Sequence, residues 1–339
     1  MPEDSPASPA PPRTTRRTLL TAAGLAASAG LVGTAAYGSI SSGSGEGDLR
    51  AAMTIIAPAA AGGGWDTVAR EMQQAHRANG IVNNTQVVNI PGAGGTIALT
   101  NLSTLRGDPG TLIVSGTGLL AATIQYDSAV TFEDVTALAL TVEEYDVIVV
   151  PGDSPYETLD DLIAAWVDAP GSVPWTGGGS FDQLVVTDLA IAAGIAPVDM
   201  NFIPSDGGGE ATQALLNGTA HASASGYPDS VDQIEAGRLR ALALVAQDRM
   251  DGFDVPTTVE LGYDVTLANW RLMMAPGGIT EEEAAELGDI IAETIATPEW
   301  AAAVDRYNWT ENVMVGAELT EFLAQQTDAI RSLYEELGV

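Results

Sequence analysis

From Met53 onward, short apolar runs alternate with helix-like stretches, and few folds accept that alternation. The strand candidates are Met53–Ala57, Gln86–Ile90, Thr111–Ser115, Leu138–Val142, Asp146–Val150, Val173–Thr176, Asn201–Ile203, Ala220–Ala224 and Leu239–Val245. Between them lie helix candidates at Trp65–Asn79, Thr96–Leu105, Leu159–Asp168, Phe181–Ala193, Gly209–Leu216 and Ser230–Ala236. Three more helical runs close the chain, at Glu281–Thr294, Pro298–Asn308 and Leu319–Leu337. Strands and helices of these lengths read as βαβ units on a parallel-rich α/β sheet. Helix starts are marked by Asp160 and Asp161, which complement a helix dipole, and by the Thr280…Glu283 capping box.

The joints between strands and helices are rich in glycine. Pro58 to Asp66 runs Pro-Ala-Ala-Ala-Gly-Gly-Gly-Trp-Asp, and Pro91 to Thr96 runs Pro-Gly-Ala-Gly-Gly-Thr. Further on come Thr176-Gly177-Gly178-Gly179-Ser180, Ser205-Asp206-Gly207-Gly208-Gly209 and Ser223-Ala224-Ser225-Gly226-Tyr227. A glycine turn that opens a helix offers free backbone N–H groups and the positive end of the helix dipole, which together form an anion site. Each loop taken alone reads equally as a tight strand-to-helix turn. Neither of the first two is a nucleotide site: no Walker lysine follows, and the G-x-G core lacks the full dinucleotide pattern. Asp66 and Asp182 each follow a glycine loop and read as helix-dipole complements, loop-ordering acceptors or ligand-facing groups.

Two β-like runs lack tight turns, Leu138 to Val150 and Val265 to Pro276. As crossings they make two lobes with a cleft between them. Lobe one takes residues 50–140 plus 270–339, and lobe two takes 141–269. In α/β sheets ligands favour the carboxyl ends of the strands, where the glycine loops sit. Arg271, beside Trp270 in the second crossing, is the cation placed to meet an anion bidentately; a surface role or a pairing with Asp or Glu reads equally well.

The chain has 339 residues and a formal charge of −32, and all 13 basic residues are arginine. That charge argues against nucleic acid and against anionic membrane surfaces as partners. Cysteine is absent, which removes disulfides, thiol nucleophiles and thiolate metal sites. Enzyme readings fare poorly. Ser225 lies in Ser-Ala-Ser-Gly, which is no nucleophile elbow. The two histidines have no metal-ligand spacing: His76 sits at a charged helix end and reads as solvated, and His221 reads as packing or surface. The expectation is therefore no catalytic residue, no metal and no cofactor.

The N-terminus points to export. Thr15-Arg16-Arg17-Thr18-Leu19-Leu20 is a twin-arginine pattern, followed by an apolar Ala/Gly/Leu-rich run to Tyr37. Residues 1–38 read as a signal segment and 39–49 as a Ser/Gly linker. The location is then extracytoplasmic, with membrane anchoring if the signal stays uncleaved.

From about Met53 to the C-terminus the sequence resembles the substrate-binding proteins of tripartite tricarboxylate transporters, the Bug receptors. The resemblance is carried by Ala57-Pro58, Gly62-Gly63-Gly64-Trp65-Asp66, Ala69-Arg70 and Asn89-Ile90-Pro91-Gly92-Ala93-Gly94-Gly95. It continues through Val149-Val150-Pro151, Asp153-Ser154-Pro155, Leu159-Asp160-Asp161-Leu162, Ala236 to Ala243 and Asp254-Val255-Pro256-Thr257. It implies a type II-like periplasmic-binding fold that closes on a small tri- or dicarboxylate and delivers it to membrane permease subunits. It also implies a site in two sets: Gly63, Gly64, Trp65, Asp66, Ala93, Gly94 and Gly95 on one lobe, and Gly178, Gly179, Ser180, Ser225 and Gly226 on the other. A sensory module of the same fold, signalling to a receptor kinase, is the alternative.

Overall fold

The computed structural model describes residues 48–205, 207–250 and 252–338; the expected signal segment and nearly all of the linker lie outside them. The described residues form two mixed sheets and ten α-helices.

The first sheet is built from β1 (Met53–Ala57), β2 (Thr85–Asn89), β3 (Thr111–Gly116), β4 (Val135–Glu144), β10 (Asn269–Pro276) and β11 (Thr310–Val315). Their order across the sheet is β11-β4-β10-β3-β1-β2. β1 pairs in parallel with β2 and β3, and β10 lies antiparallel between β3 and β4. Packed on this sheet are α1 (Gly64–Asn79), α2 (Thr96–Ser103), α3 (Thr117–Gln125), α8 (Glu281–Ile295), α9 (Pro298–Tyr307) and α10 (Gly316–Leu337). β1 and β3 are buried on both faces, which is why they read as unbroken apolar runs.

The second sheet holds β5 (Asp146–Pro151), β6 (Pro174–Gly177), β7 (Asn201–Pro204), β8 (Ala222–Gly226) and β9 (Leu239–Leu244), in the order β7-β6-β8-β5-β9. α4 (Leu159–Asp168), α5 (Ser180–Ala192), α6 (Gly208–Leu216) and α7 (Tyr227–Glu235) accompany it. Its core centres on Trp166 and Trp175, whose rings lie 4.6 Å apart.

The two sheets share one plan that the sequence does not display as a repeat. In each, three strands pair in parallel and a fourth lies beyond one antiparallel strand that enters from across the molecule. That strand is β10 in the first sheet and β5 in the second. The first crossing is a single residue, Tyr145, between the end of β4 and the start of β5. The return runs from β9 to β10 through residues 245–268, and Val265 still packs in the second core.

Two elements go unmarked in the sequence pattern, and one expectation, that for His76, needs correction. Residues 117–125 form a helix, α3, that the sequence pattern does not mark. It is apolar around nearly its whole circumference and buried over most of its length, so it lacks the polar face that reveals a 3.6-residue period. Residues 310–315 form edge strand β11 between the last two helices, with side chains alternating between half-buried and exposed. His76 is not solvated; it is 2% exposed. Its Nδ1 lies 2.8 Å from Thr85 Oγ1 and its Nε2 lies 2.9 Å from Thr294 Oγ1. Because the Thr294 hydroxyl donates to the Ile290 carbonyl, Nε2 carries the proton and Nδ1 accepts from Thr85. Burial first, and then the nearby Arg50, pushes the imidazole down to about 4, so it is neutral.

Candidate functional site

A cleft of about 640 Å³ opens where the two sheets face each other, a size suited to a small solute. Its walls are mostly helix N-termini. The first lobe gives residues 59–64 at the start of α1; the second gives Gly178, Gly207, Gly208, Gly209, Gly226 and Pro228 at the starts of α5, α6 and α7. The N-caps of these four helices are Gly63, Gly179, Gly207 and Gly226, and none carries a side-chain cap. By contrast α4, α8 and α9 have Thr158, Thr280 and Thr297 as hydrogen-bonded caps. At these four starts no N-cap side chain accepts from the first-turn N–H groups.

Two aspartates hold the glycine loops by the same device. Gly62 N–H donates to Asp66 Oδ2 at 2.8 Å, and Gly178 N–H donates to Asp182 Oδ2 at 2.6 Å. Each aspartate is the third residue of its helix and ties down an amide four residues earlier. Asp66 is also bound by Arg70 Nε at 2.8 Å and by the Asn89 amide at 2.8 Å. Burial works to raise its carboxyl, but the Arg70, Gly62 and Asn89 bonds outweigh that and hold it below the usual range.

Arg271 is buried at the start of β10 and faces the cleft. Its Nη2 meets Glu144 Oε2 at 2.6 Å and its Nη1 meets Asn269 Oδ1 at 2.9 Å. Trp309 Nε1–H donates to the other Glu144 oxygen at 2.8 Å. Of the sequence alternatives for Arg271, the structure therefore has the acid-paired one, inside the cleft. A Cβ on Gly64 would lie 2.8 Å from Arg271 Nη2, so glycine lets the guanidinium lie against the start of α1.

Of the residues expected from sequence, Gly63, Gly64, Gly178, Gly226 and Arg271 line this cleft. Gly179 and Ser180 adjoin it, but the Ser180 hydroxyl donates to Gln125 Oε1 at 2.9 Å, joining α5 to α3 of the other lobe. Ser225 is 2% exposed, and its Oγ has no hydrogen-bond partner among the described residues. Trp65 packs into both cores of the first lobe. Ala93, Gly94 and Gly95 form a short 3-10 turn before α2 that does not line the cleft. Gly94 and Gly95 do have positive φ, of 61° and 94°. The room for a Cβ on Gly95 is taken by Leu119, Pro58 and Trp65, at 3.0, 3.1 and 3.4 Å.

Sequence reasoning missed Glu144, Asp146 and Asp229, which line the cleft as well. Asp146 is 1% exposed and opens β5; an aspartate heading the apolar run Val-Ile-Val-Val was the available signal. Burial pushes its carboxyl well above the usual range, reinforced by Asp182, Asp229 and Glu144 and opposed by Arg271. Burial likewise raises Asp182 to about 7, with Asp229 adding to the rise and the Gly178 N–H opposing it. Asp229 stands at the exposed rim, raised by desolvation and then by Glu144. Among the described residues no group of His, Cys, Asp and Glu is arranged to hold a metal ion.

Two α/β lobes, a strand crossing in each direction and glycine-capped helices around a central cleft define a solute-binding protein of the periplasmic type. The chain belongs to the tripartite tricarboxylate transporter family of receptors, whose family model matches residues 68–339. It is 27% identical to BugT of Bordetella pertussis over 294 residues, covering 84% of this chain and 89% of that one. Among solved structures, the periplasmic binding protein BugD superposes with a TM-score of 0.74 at 23% identity, over 86% of this chain and 98% of that one. MatC from Rhodopseudomonas palustris, with bound malate, superposes with a TM-score of 0.71 at 22% identity, over 83% and 98% of the two chains. No helix among the described residues is long and apolar enough to cross a membrane.

Proposed function

We propose that this protein is an extracytoplasmic receptor that closes on a small carboxylate and delivers it to the membrane subunits of a tripartite tricarboxylate-type transporter. The observation that carries the reading is the convergence of four glycine-capped helix N-termini on one cleft. Such termini bind an anion through backbone N–H groups and aligned dipoles, with no lysine required. Each dipole contributes roughly 0.3–1 kcal/mol when exposed and up to about 2 when partly buried. Family membership and the malate in MatC support the same ligand class. The twin-arginine segment supports export. Closure rotates the lobes about Tyr145 and residues 245–268, and the site is non-catalytic.

The test is a thermal-shift and calorimetric screen of the mature chain with malate, succinate, citrate and glutarate. A ligand present at 100 times its dissociation constant adds about 2.7 kcal/mol of stability. No shift with any member of the carboxylate panel, aminated carboxylates included, would remove the reading.

A further inference from the structure

The two strands that cross between the lobes deliver opposite charges to equivalent places. Arg271 on β10 pairs across to Gly116, the last residue of β3 and the N-cap of α3. Asp146 on β5 pairs across to Gly226, the last residue of β8 and the N-cap of α7. In the shared plan of the two sheets these are the same position, and both side chains line the cleft. Both are more than nine-tenths buried, and each keeps an unpartnered polar atom, Arg271 Nε on one side and Asp146 Oδ2 on the other.

Among the described residues, the second lobe's side of the cleft holds three carboxylates, Asp146, Asp182 and Asp229, and no cation of its own. Among the described residues the arginine lining the cleft is Arg271, and its Nη2 is paired with Glu144. A ligand that is only an anion would have to approach this acidic wall. We propose that the cleft takes an amino carboxylate, with the carboxylate on the α1 terminus and a protonated amine on a subsite formed by Asp146, Asp182 and Asp229. This rests on the reading of the cleft as a carboxylate site and adds the second functional group of the ligand. An ammonium supplies the donors that Asp146 Oδ2 lacks, and its charge offsets a cluster that is costly to keep ionised in a partly buried wall.

The subsite couples binding to protons. The charged groups facing Asp182 are Asp229, Asp146 and Arg271, with Glu144 acting on Asp146 and Asp229. Burial and mutual repulsion raise all three carboxyls, Asp182 to about 7, so that protons on the subsite compete near neutrality. A cation competes with those protons, so affinity for an aminated ligand rises with pH between 5.5 and 8. An anion gains from the same protons, so affinity for a dicarboxylate falls over that interval.

The experiment is calorimetry on the full mature chain with matched probes: succinate against L-aspartate and β-alanine, glutarate against L-glutamate and γ-aminobutyrate, and 1,4-diaminobutane alone. The expected result is at least one aminated carboxylate binding tenfold or more tightly than its dicarboxylate partner, with affinity rising with pH. Asp146→Asn, and separately Asp229→Asn, should erase that preference while the dicarboxylates bind at least as well as to the unaltered protein. Thermal melts of the two variants check that each is folded. Dicarboxylates that bind as tightly as the aminated probes overturn the ammonium subsite and leave the carboxylate reading standing. Binding of the diamine alone keeps the subsite and removes the carboxylate reading. Failure of every probe overturns the subsite, and the carboxylate reading falls with it when malate and citrate fail as well.

Discussion

At the residue scale, the buried ionisable groups pull stability in opposite directions as pH changes. His76 is neutral in the fold at about 4, below its ordinary 6.5. The unfolded chain therefore binds a proton between those values that the native state refuses, and stability falls as pH drops from about 6.5 toward 4. The full difference is worth about 3 kcal/mol. Asp182, raised to about 7, works the other way: its unfolded carboxyl ionises first, so stability falls as pH rises from about 4 through 7. Their windows nearly coincide, so between about pH 4 and 6.5 the two effects largely cancel in the ligand-free protein. Urea titrations between pH 4 and 8 would read this. His76→Gln should leave a stability that falls as pH rises from about 4 to 7, and Asp182→Asn, which keeps an acceptor for Gly178 N–H, one that falls as pH drops from about 6.5 to 4. A pH profile unchanged by Asp182→Asn would mean that this carboxyl ionises normally in the fold.

At the element scale, the four helices that open on the cleft all lack a side-chain cap, while the starts of the threonine-capped helices α4, α8 and α9 do not line it. A threonine cap satisfies a helix start internally, whereas a glycine cap leaves those donors for something else. Gly64→Val tests the coupling between one such terminus and the crossing strand. The added Cβ would meet Arg271 Nη2 at 2.8 Å, and the guanidinium would have to leave either α1 or Glu144. Carboxylate affinity should fall at least tenfold by calorimetry, with the protein still folded, because Gly64 is exposed in the cleft and not in the core. Unchanged affinity would place the anion away from α1. The glycine loops were legible in the sequence because they recur, each after an apolar run and before a helix; any one alone reads equally as a turn. Gly95 shows the limit of that signal: its positive φ is real, yet its neighbours are Leu119, Pro58 and Trp65, and only the tertiary packing reveals that. Helix α3 was invisible for a related reason, since burial on nearly every side erases the pattern that marks a helix. Asp146 and Asp229 meet only after β5 crosses to pair with β8, a juxtaposition no local pattern encodes.

At the scale of the whole molecule, α5 is a second-lobe element that bears on the first. Ser180 joins it to Gln125, and Leu184 sits in the first lobe's core. In the proposed closure α5 would act as the bearing and Tyr145 as a one-residue hinge, with the opposite rim closing. A ligand found in the screen should reduce the radius of gyration in solution scattering, and an unchanged curve at saturation would count against closure. The crossings also set an order of assembly. Strands β5 to β9 leave the ribosome as one continuous stretch, so the second sheet has all its members once Leu244 is made. The first sheet has β1 to β4 earlier, but β3 and β4 are not neighbours; the strand between them is β10, which ends at Pro276. Until then both carry unpaired edges, the kind that invite pairing with another chain. The lobe that begins the described chain is thus the last to be finished, and a nascent protein must be held apart from its copies until most of it has been synthesised.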